Sequence, residues 1–216
     1  MSYRENLESI HSKLNFQFGS IKDEYPEQLI SMQFVSPHHT VLELGGNIGR
    51  NSCVIGSILN NSENLLVVES DLDNAAKLKT NRDNNNLSFL IEDSAISQTE
   101  LYQKDWLTKP VDEIQGNVEE WKKIKTITWS ELKNKYNMSF DVLVADCEGA
   151  LYYILKEEPS FFESFSLIQL ENDFPNKTQK EFVDGELKKS GFKRIYEERL
   201  NSPHPCSDCF YEVWSK

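Results

Sequence analysis

The feature that most constrains this chain is a short apolar run that stops on paired glycines. Val41-Leu42-Glu43-Leu44 ends at Gly45-Gly46, the pattern of a buried parallel strand meeting a tight turn. A helix-period stretch follows, with Val54, Ile55, Ile58 and Leu59 on one face. The alternation then repeats. Leu65-Leu66-Val67-Val68 reads as a second buried strand, residues 72–81 as a helix, and residues 87–91 as a third strand behind the turn-forming run Asp83-Asn84-Asn85-Asn86. Strands at 140–145 and 166–170 are each followed by a helical stretch, near 149–156 and 177–189. Strand and helix in this order predict an α/β fold, an open, doubly wound, mainly parallel sheet. Residues 192–197 and 209–214 have no helix between them, so they are expected to pair antiparallel at one sheet edge.

The 216 residues suit one domain with short additions. Residues 1–36 read as a helical N-terminal extension, with Leu7, Ile10 and Leu14, then Leu29, Ile30 and Phe34, at helical spacing. Between 94 and 126 the alternation lapses for longer than an ordinary loop, and such inserts often carry function. The formal charge of −12 supplies no basic field for a phosphate backbone, which argues against binding to bulk nucleic acid. The charged first twenty residues do not read as a signal peptide, and no apolar run is long enough to cross a membrane. A soluble, intracellular protein with reduced Cys53, Cys147, Cys206 and Cys209 is expected.

Ligands on doubly wound sheets bind beyond the carboxyl ends of the strands, so the residues there bear most directly on function. The first strand ends Glu43-Leu44-Gly45-Gly46-Asn47-Ile48-Gly49. Leu44 stands where a dinucleotide fingerprint needs its first glycine, so that motif fails. Glu43 suits a ligand with an ammonium group better than a pyrophosphate. Glu69 ends the second strand and follows Gly45 by 24 residues, near the interval of about 20 at which an acid meets ribose hydroxyls. The third strand ends Glu92-Asp93-Ser94-Ala95, the fourth Asp146-Cys147-Glu148-Gly149 and the fifth Glu171-Asn172-Asp173.

These stretches together resemble the FkbM family of S-adenosylmethionine-dependent methyltransferases. The similarity is carried by Glu43 to Gly49, Val68-Glu69, Asp93-Ser94-Ala95-Ile96, Asp146-Cys147-Glu148-Gly149-Ala150 and the preceding Ile124 to Leu132. The resemblance implies a class I, Rossmann-like methyltransferase fold, S-adenosylmethionine as cofactor, and O-methylation of a hydroxyl on a sugar, glycan or other small molecule. It implies that Gly45, Gly46, Asn47 and Gly49 line the methionine part, Glu69 holds the ribose, and Asp93 and Ser94 face the adenine. Asp146 and Glu148 would face the transferred methyl or the acceptor, with Glu171 as a third acid for positioning or base work. The chain departs from the family pattern at Val144, where a lysine is usual, and at Leu151, where a further glutamate is common. RNA or protein methylation, and a non-catalytic module that keeps the cofactor fold, are the alternative functions.

Other residues read more simply. Trp106, Trp121 and Trp129, in or beside the insert, suit either local core or stacking on an acceptor ring. His204-x-Cys206-x-x-Cys209 lacks a fourth ligand for a closed zinc site. No metal is assigned, although Asp146, Glu171 and Asp173 are residue types that could hold a divalent ion.

Overall fold

The computed structural model describes residues 2–216. Seven strands form the central sheet: β1 (Val41–Leu44), β2 (Leu65–Val68), β3 (Leu90–Glu92), β4 (Val142–Ala145), β5 (Leu167–Glu171), β6 (Lys193–Glu198) and β7 (Tyr211–Ser215). Their order is β6-β7-β5-β4-β1-β2-β3. Pairing is parallel from β3 across to β5, with Leu44 in register with Val68 on one side and Ala145 on the other. Only β7 runs antiparallel to its neighbours. The expected antiparallel pairing is present, but β7 stands one place in from the edge and β6 takes the edge itself. The chain order reverses between β1 and β4, which opens a crevice beyond their carboxyl ends.

The central strands β1, β2 and β4 are short and buried on both faces, so nearly every residue in them is apolar, whereas edge strand β6 is exposed and charged. Period-two alternation divides them. Val41, Leu65, Val67, Val142 and Val144 face helices α3 (Arg50–Ile58) and α4 (Leu72–Asn84), through Cys53, Ile55 and Leu78. Leu42, Leu44, Leu66, Val68, Leu143 and Ile168 face α5 (Trp129–Tyr136), α6 (Ala150–Glu157) and α7 (Lys177–Lys189), where Trp129, Phe161 and Phe165 form an aromatic cluster. Helix α4 runs three residues past its expected end because Arg82, in its last turn, turns inward to hydrogen bond the Phe89 carbonyl. Helix α5 has no counterpart in the sequence reading; it is started by a reciprocal capping box between Thr128 and Glu131. The insert forms a three-stranded antiparallel sheet of Leu101–Lys104, Leu107–Pro110 and Lys122–Lys123. Among the described residues, no helix is long and apolar enough to cross a membrane.

The N-terminal segment forms α1 (Tyr3–His11) and α2 (Tyr25–Phe34). Ile30 of α2 packs on Phe210, Tyr211 and Val213 beside β5. The link between the two helices is fastened by Asn81, a fully buried residue of α4. Its Oδ1 accepts from the Gln17 and Phe18 N–H groups, and its Nδ2 donates to the carbonyls of Phe18 and Ile48. One side chain therefore joins the extension to the loop after β1. Replacing Asn81 with Ala should destabilise the protein by about 1–3 kcal/mol, the cost of leaving buried polar groups unpaired. Urea unfolding measures this, and proteolysis under native conditions should cut near residue 17 first.

Candidate functional site

The crevice at the β1/β4 switch point contains a pocket with about 870 Å³ of empty space, counting its open mouth. This is ample for a cofactor-sized molecule. Its walls come from the tips of four strands and from the insert. Leu44, Gly45 and Asn47 follow β1, Val68, Glu69 and Ser70 follow β2, Ala95 and Ile96 follow β3, and Asp146, Cys147 and Glu148 follow β4. Gln103, Trp106 and Thr108 of the insert close one side.

The glycine loop is shaped by a close backbone approach. Gly45 has φ +85, and a Cβ there would lie 1.5 Å from the carbonyl oxygen of Asp146. Only a residue without a side chain lets β1 and β4 release their loops this close together. Gly46 and Gly49 serve packing instead, since side chains there would strike Val67 and Leu78. Asn47 follows in the left-handed region at φ +46, as does Glu148 at φ +51 on the opposing loop. Such strain in non-glycine residues persists only where the surroundings enforce it. Here Asp173 enforces the second case by accepting the Glu148 and Gly149 N–H groups at 2.5 and 3.0 Å.

Glu69 fixes the other wall. Its carboxylate accepts the Asn47 N–H and the Asp71 N–H, each at 2.7 Å, tying the β1 loop to the start of α4. Each oxygen keeps a further lone pair for a ligand hydroxyl. Burial pushes Glu69 up to about 7 despite those two N–H groups. Glu43 lies deeper, on the α3 face of β1 beside Asn51 and Ser52, and burial pushes it up to about 8.

Of the acids and loop residues expected at the site, Gly45, Asn47, Glu69, Asp146 and Glu148 meet in this one pocket. The others stand off it for identifiable reasons. Glu43 is two residues before the loop, and strand alternation turns it beneath α3. Asp93 points to solvent and pairs with Lys125 at 2.8 Å, while the buried Ser94 donates to Glu92 at 2.8 Å. Apolar Ala95 and Ile96 occupy the position foreseen for those two. Glu171 lies behind Asp146, and beside both stands Glu27 of α2; one carboxylate oxygen from each of the three lies within 4.8 Å of the others. Glu27 escaped the sequence reading because a lone acid in an amphipathic helix looks like surface, yet it is 5% exposed. Glu24, also from the extension and at φ +62, pairs with Arg50 at 2.6 Å. The extension thus brings two acids to the rim of the crevice, although none of its described residues lines the pocket. Among the three tryptophans, Trp129 is core and Trp106 lines the pocket mouth. Cys206 Sγ is turned to the Phe174 carbonyl, away from any ligand set with His204 and Cys209.

No family model matches this chain, and no curated protein matches it in sequence. Solved structures do match it in fold. The ribosomal protein L11 methylase of Lactobacillus delbrueckii subsp. bulgaricus aligns over 88% of this chain and 76% of its own, at 10% identity and a TM-score of 0.52. A candidate RNA methyltransferase from Pyrococcus horikoshii aligns over 100% and 97%, at 13% identity and 0.50. An O-methyltransferase from Bacillus cereus, solved in complex with S-adenosylhomocysteine, aligns over 100% and 91%, at 12% identity and 0.49. The fold is that of the class I, Rossmann-like methyltransferases.

The raised acids set a pH dependence. Glu43 and Glu69 hold protons when folded at pH values where the unfolded chain, near 4.5, has lost them. The native state then binds more protons than the unfolded one, so stability falls as pH rises. The thermal midpoint of the ligand-free protein should decline between about pH 5 and pH 8. Glu43→Gln, which is neutral throughout, should flatten that decline in a scan of midpoint against pH.

Proposed function

We propose that this chain is an S-adenosylmethionine-dependent methyltransferase that methylates a hydroxyl of a sugar, glycan or other small molecule, as its FkbM resemblance implies. The observation that carries the reading is the convergence of Gly45, Asn47, Glu69, Asp146 and Glu148 on one pocket at the switch point of a class I methyltransferase sheet. Glu69 at the tip of β2 suits the ribose hydroxyls. Ala95, Ile96 and Val68 offer an apolar slot for the adenine ring, in place of the polar contacts foreseen from Asp93 and Ser94. The loop after β1 suits the methionine end.

Methyl transfer from a sulfonium is an in-line displacement, in which the acceptor oxygen bonds carbon as the carbon–sulfur bond breaks. Much of the rate comes from holding oxygen and methyl in line within a pocket that excludes water. The acceptor hydroxyl also gives up a proton, which a nearby carboxylate can take. Asp146 and Glu148 stand on the wall opposite Glu69 and are assigned that positioning and base work. Glu171, set back behind Asp146, supports Asp146 rather than meeting the acceptor directly. Trp106, 61% exposed at the pocket mouth, is placed to stack on an acceptor ring. An acidic surface and an acid-walled pocket favour a small hydroxyl acceptor over RNA.

Calorimetric titration should show S-adenosylmethionine and S-adenosylhomocysteine binding where NAD does not. Failure of both to bind a folded sample would overturn the reading. Glu69→Ala should weaken cofactor binding by roughly tenfold or more, the loss of charged hydrogen bonds worth about 1.5–3 kcal/mol. Asp146→Asn should slow turnover on an acceptor found by screening more than it weakens the cofactor; equal effects on both would remove Asp146 from the chemistry.

A further inference from the structure

Edge strand β6 reads Lys193-Arg194-Ile195-Tyr196-Glu197-Glu198. Among the described residues, one side of its backbone pairs with β7 and the other side pairs with nothing. Such a side offers free N–H and C=O groups to any further strand. The side chains restrict which strand that can be, because two cations are followed by two apolar residues and then two anions. Laid antiparallel against a copy of itself, about a point between Ile195 and Tyr196, the segment sets Lys193 opposite Glu198, Arg194 opposite Glu197 and Ile195 opposite Tyr196. Two-fold symmetry makes each of these contacts twice.

In an uninterrupted strand this register would fail, since residues 193 and 198 would point to opposite faces of the sheet. A β-bulge between Arg194 and Tyr196 removes the difficulty. Arg194 and Glu197 project from one face, where Arg194 pairs with Glu197 at 2.9 Å and with Glu212 at 2.6 Å. Tyr196 projects from the other, meeting Phe34 of α2 edge-on and donating to Glu198, and alternation puts Lys193 on that face too. Every opposed couple therefore shares a face. Lys193 and Glu198 are exposed and enter no ion pair among the described residues. Ile195, the extra residue of the bulge, is 53% exposed, and Phe34, Tyr196 and Leu200 form a partly buried apolar margin beside it.

We propose that two copies of this chain pair antiparallel through β6, forming a two-fold symmetric dimer in which the two seven-stranded sheets become one. A two-fold contact requires a patch that complements itself, and the charge order of β6 meets that requirement. The same order rejects the alternatives. Parallel pairing would set Lys193 against Lys193 and Glu198 against Glu198, and a slip of one residue would put the charged couples on opposite faces. An unrelated strand would need the same sequence of charges to fit as well, so the occupant is a second copy. The contact is a single strand edge with an apolar margin, which suits a weak, reversible dimer rather than an obligate one. The inference stands whether or not the pocket binds S-adenosylmethionine.

The test is sedimentation equilibrium of the full chain at concentrations up to about 1 mM. A reversible monomer–dimer equilibrium with a Kd of about 100 µM or tighter is expected. Lys193→Glu and Glu198→Lys each set like charges together at both ends of the pairing, so each should weaken the dimer by roughly tenfold or more. Glu198→Lys also brings the net charge of −12 nearer to zero, and relief of general repulsion would strengthen association instead. An equimolar mixture of the two variants should dimerise like the parent, because every opposed couple is again of opposite sign. Both positions are exposed, so the thermal midpoint of each variant should stay within a few degrees of the parent's. A parent that remains monomeric at about 1 mM, single variants that dimerise as the parent does, or a mixture that stays monomeric would overturn the proposal.

Discussion

The approach of the β1 and β4 loops governs the crevice. With no side chain at Gly45, the peptide of Asp146 can lie where a Cβ would otherwise stand, and the two central strands release their loops onto a common pocket. Everything else is arranged around that contact. Glu69 pulls the β1 loop toward α4, Asp173 holds the β4 loop in its left-handed turn, and Asn81 fastens the N-terminal segment to the same region. The two loops that bound the pocket are thus held in place by backbone hydrogen bonds.

Much of this was legible from the sequence because the strands are buried on both faces. Continuous apolar runs such as Leu65–Val68 have one plausible use in a chain of this size, and each ends on glycine or acid. The doubly wound, mainly parallel sheet and the meeting of Gly45, Asn47, Glu69, Asp146 and Glu148 at its carboxyl edge followed from those endings, whereas the class I fold was implied by the family resemblance. What escaped was set by long-range geometry. The position of β7 inside β6 depends on pairing that no local pattern encodes. The insert's small sheet is built from short, half-exposed strands with little apolar contrast. Helix α5 carries a local signal, Thr128 followed by Glu131, inside the family-like stretch.

Asp93 and Glu43 show why strand-tip acids are ambiguous. One follows an apolar run and the other lies within one, yet the first is turned outward to Lys125 and the second is folded beneath α3. A single residue of alternation decides between pocket, surface and interior. Glu27 is the opposite case, an acid in an unremarkable helical pattern that the docking of α2 against β5 carries into the interior.

The placing of β7 also has a consequence for how the molecule assembles. Strand β6 has no neighbour except β7, and β7 joins β5 on its other side. Until β7 docks, β6 is not joined to the sheet and β5 presents an open edge. The parallel half of the sheet does not depend on them for its pairing, and the two strands reach β5 as one antiparallel pair. Non-local closure of this kind is slow, and it leaves an unpaired strand edge exposed in the interval. Retarded β7 insertion would therefore appear as a slow kinetic phase and as aggregation through β5, with the pocket-bearing half already folded.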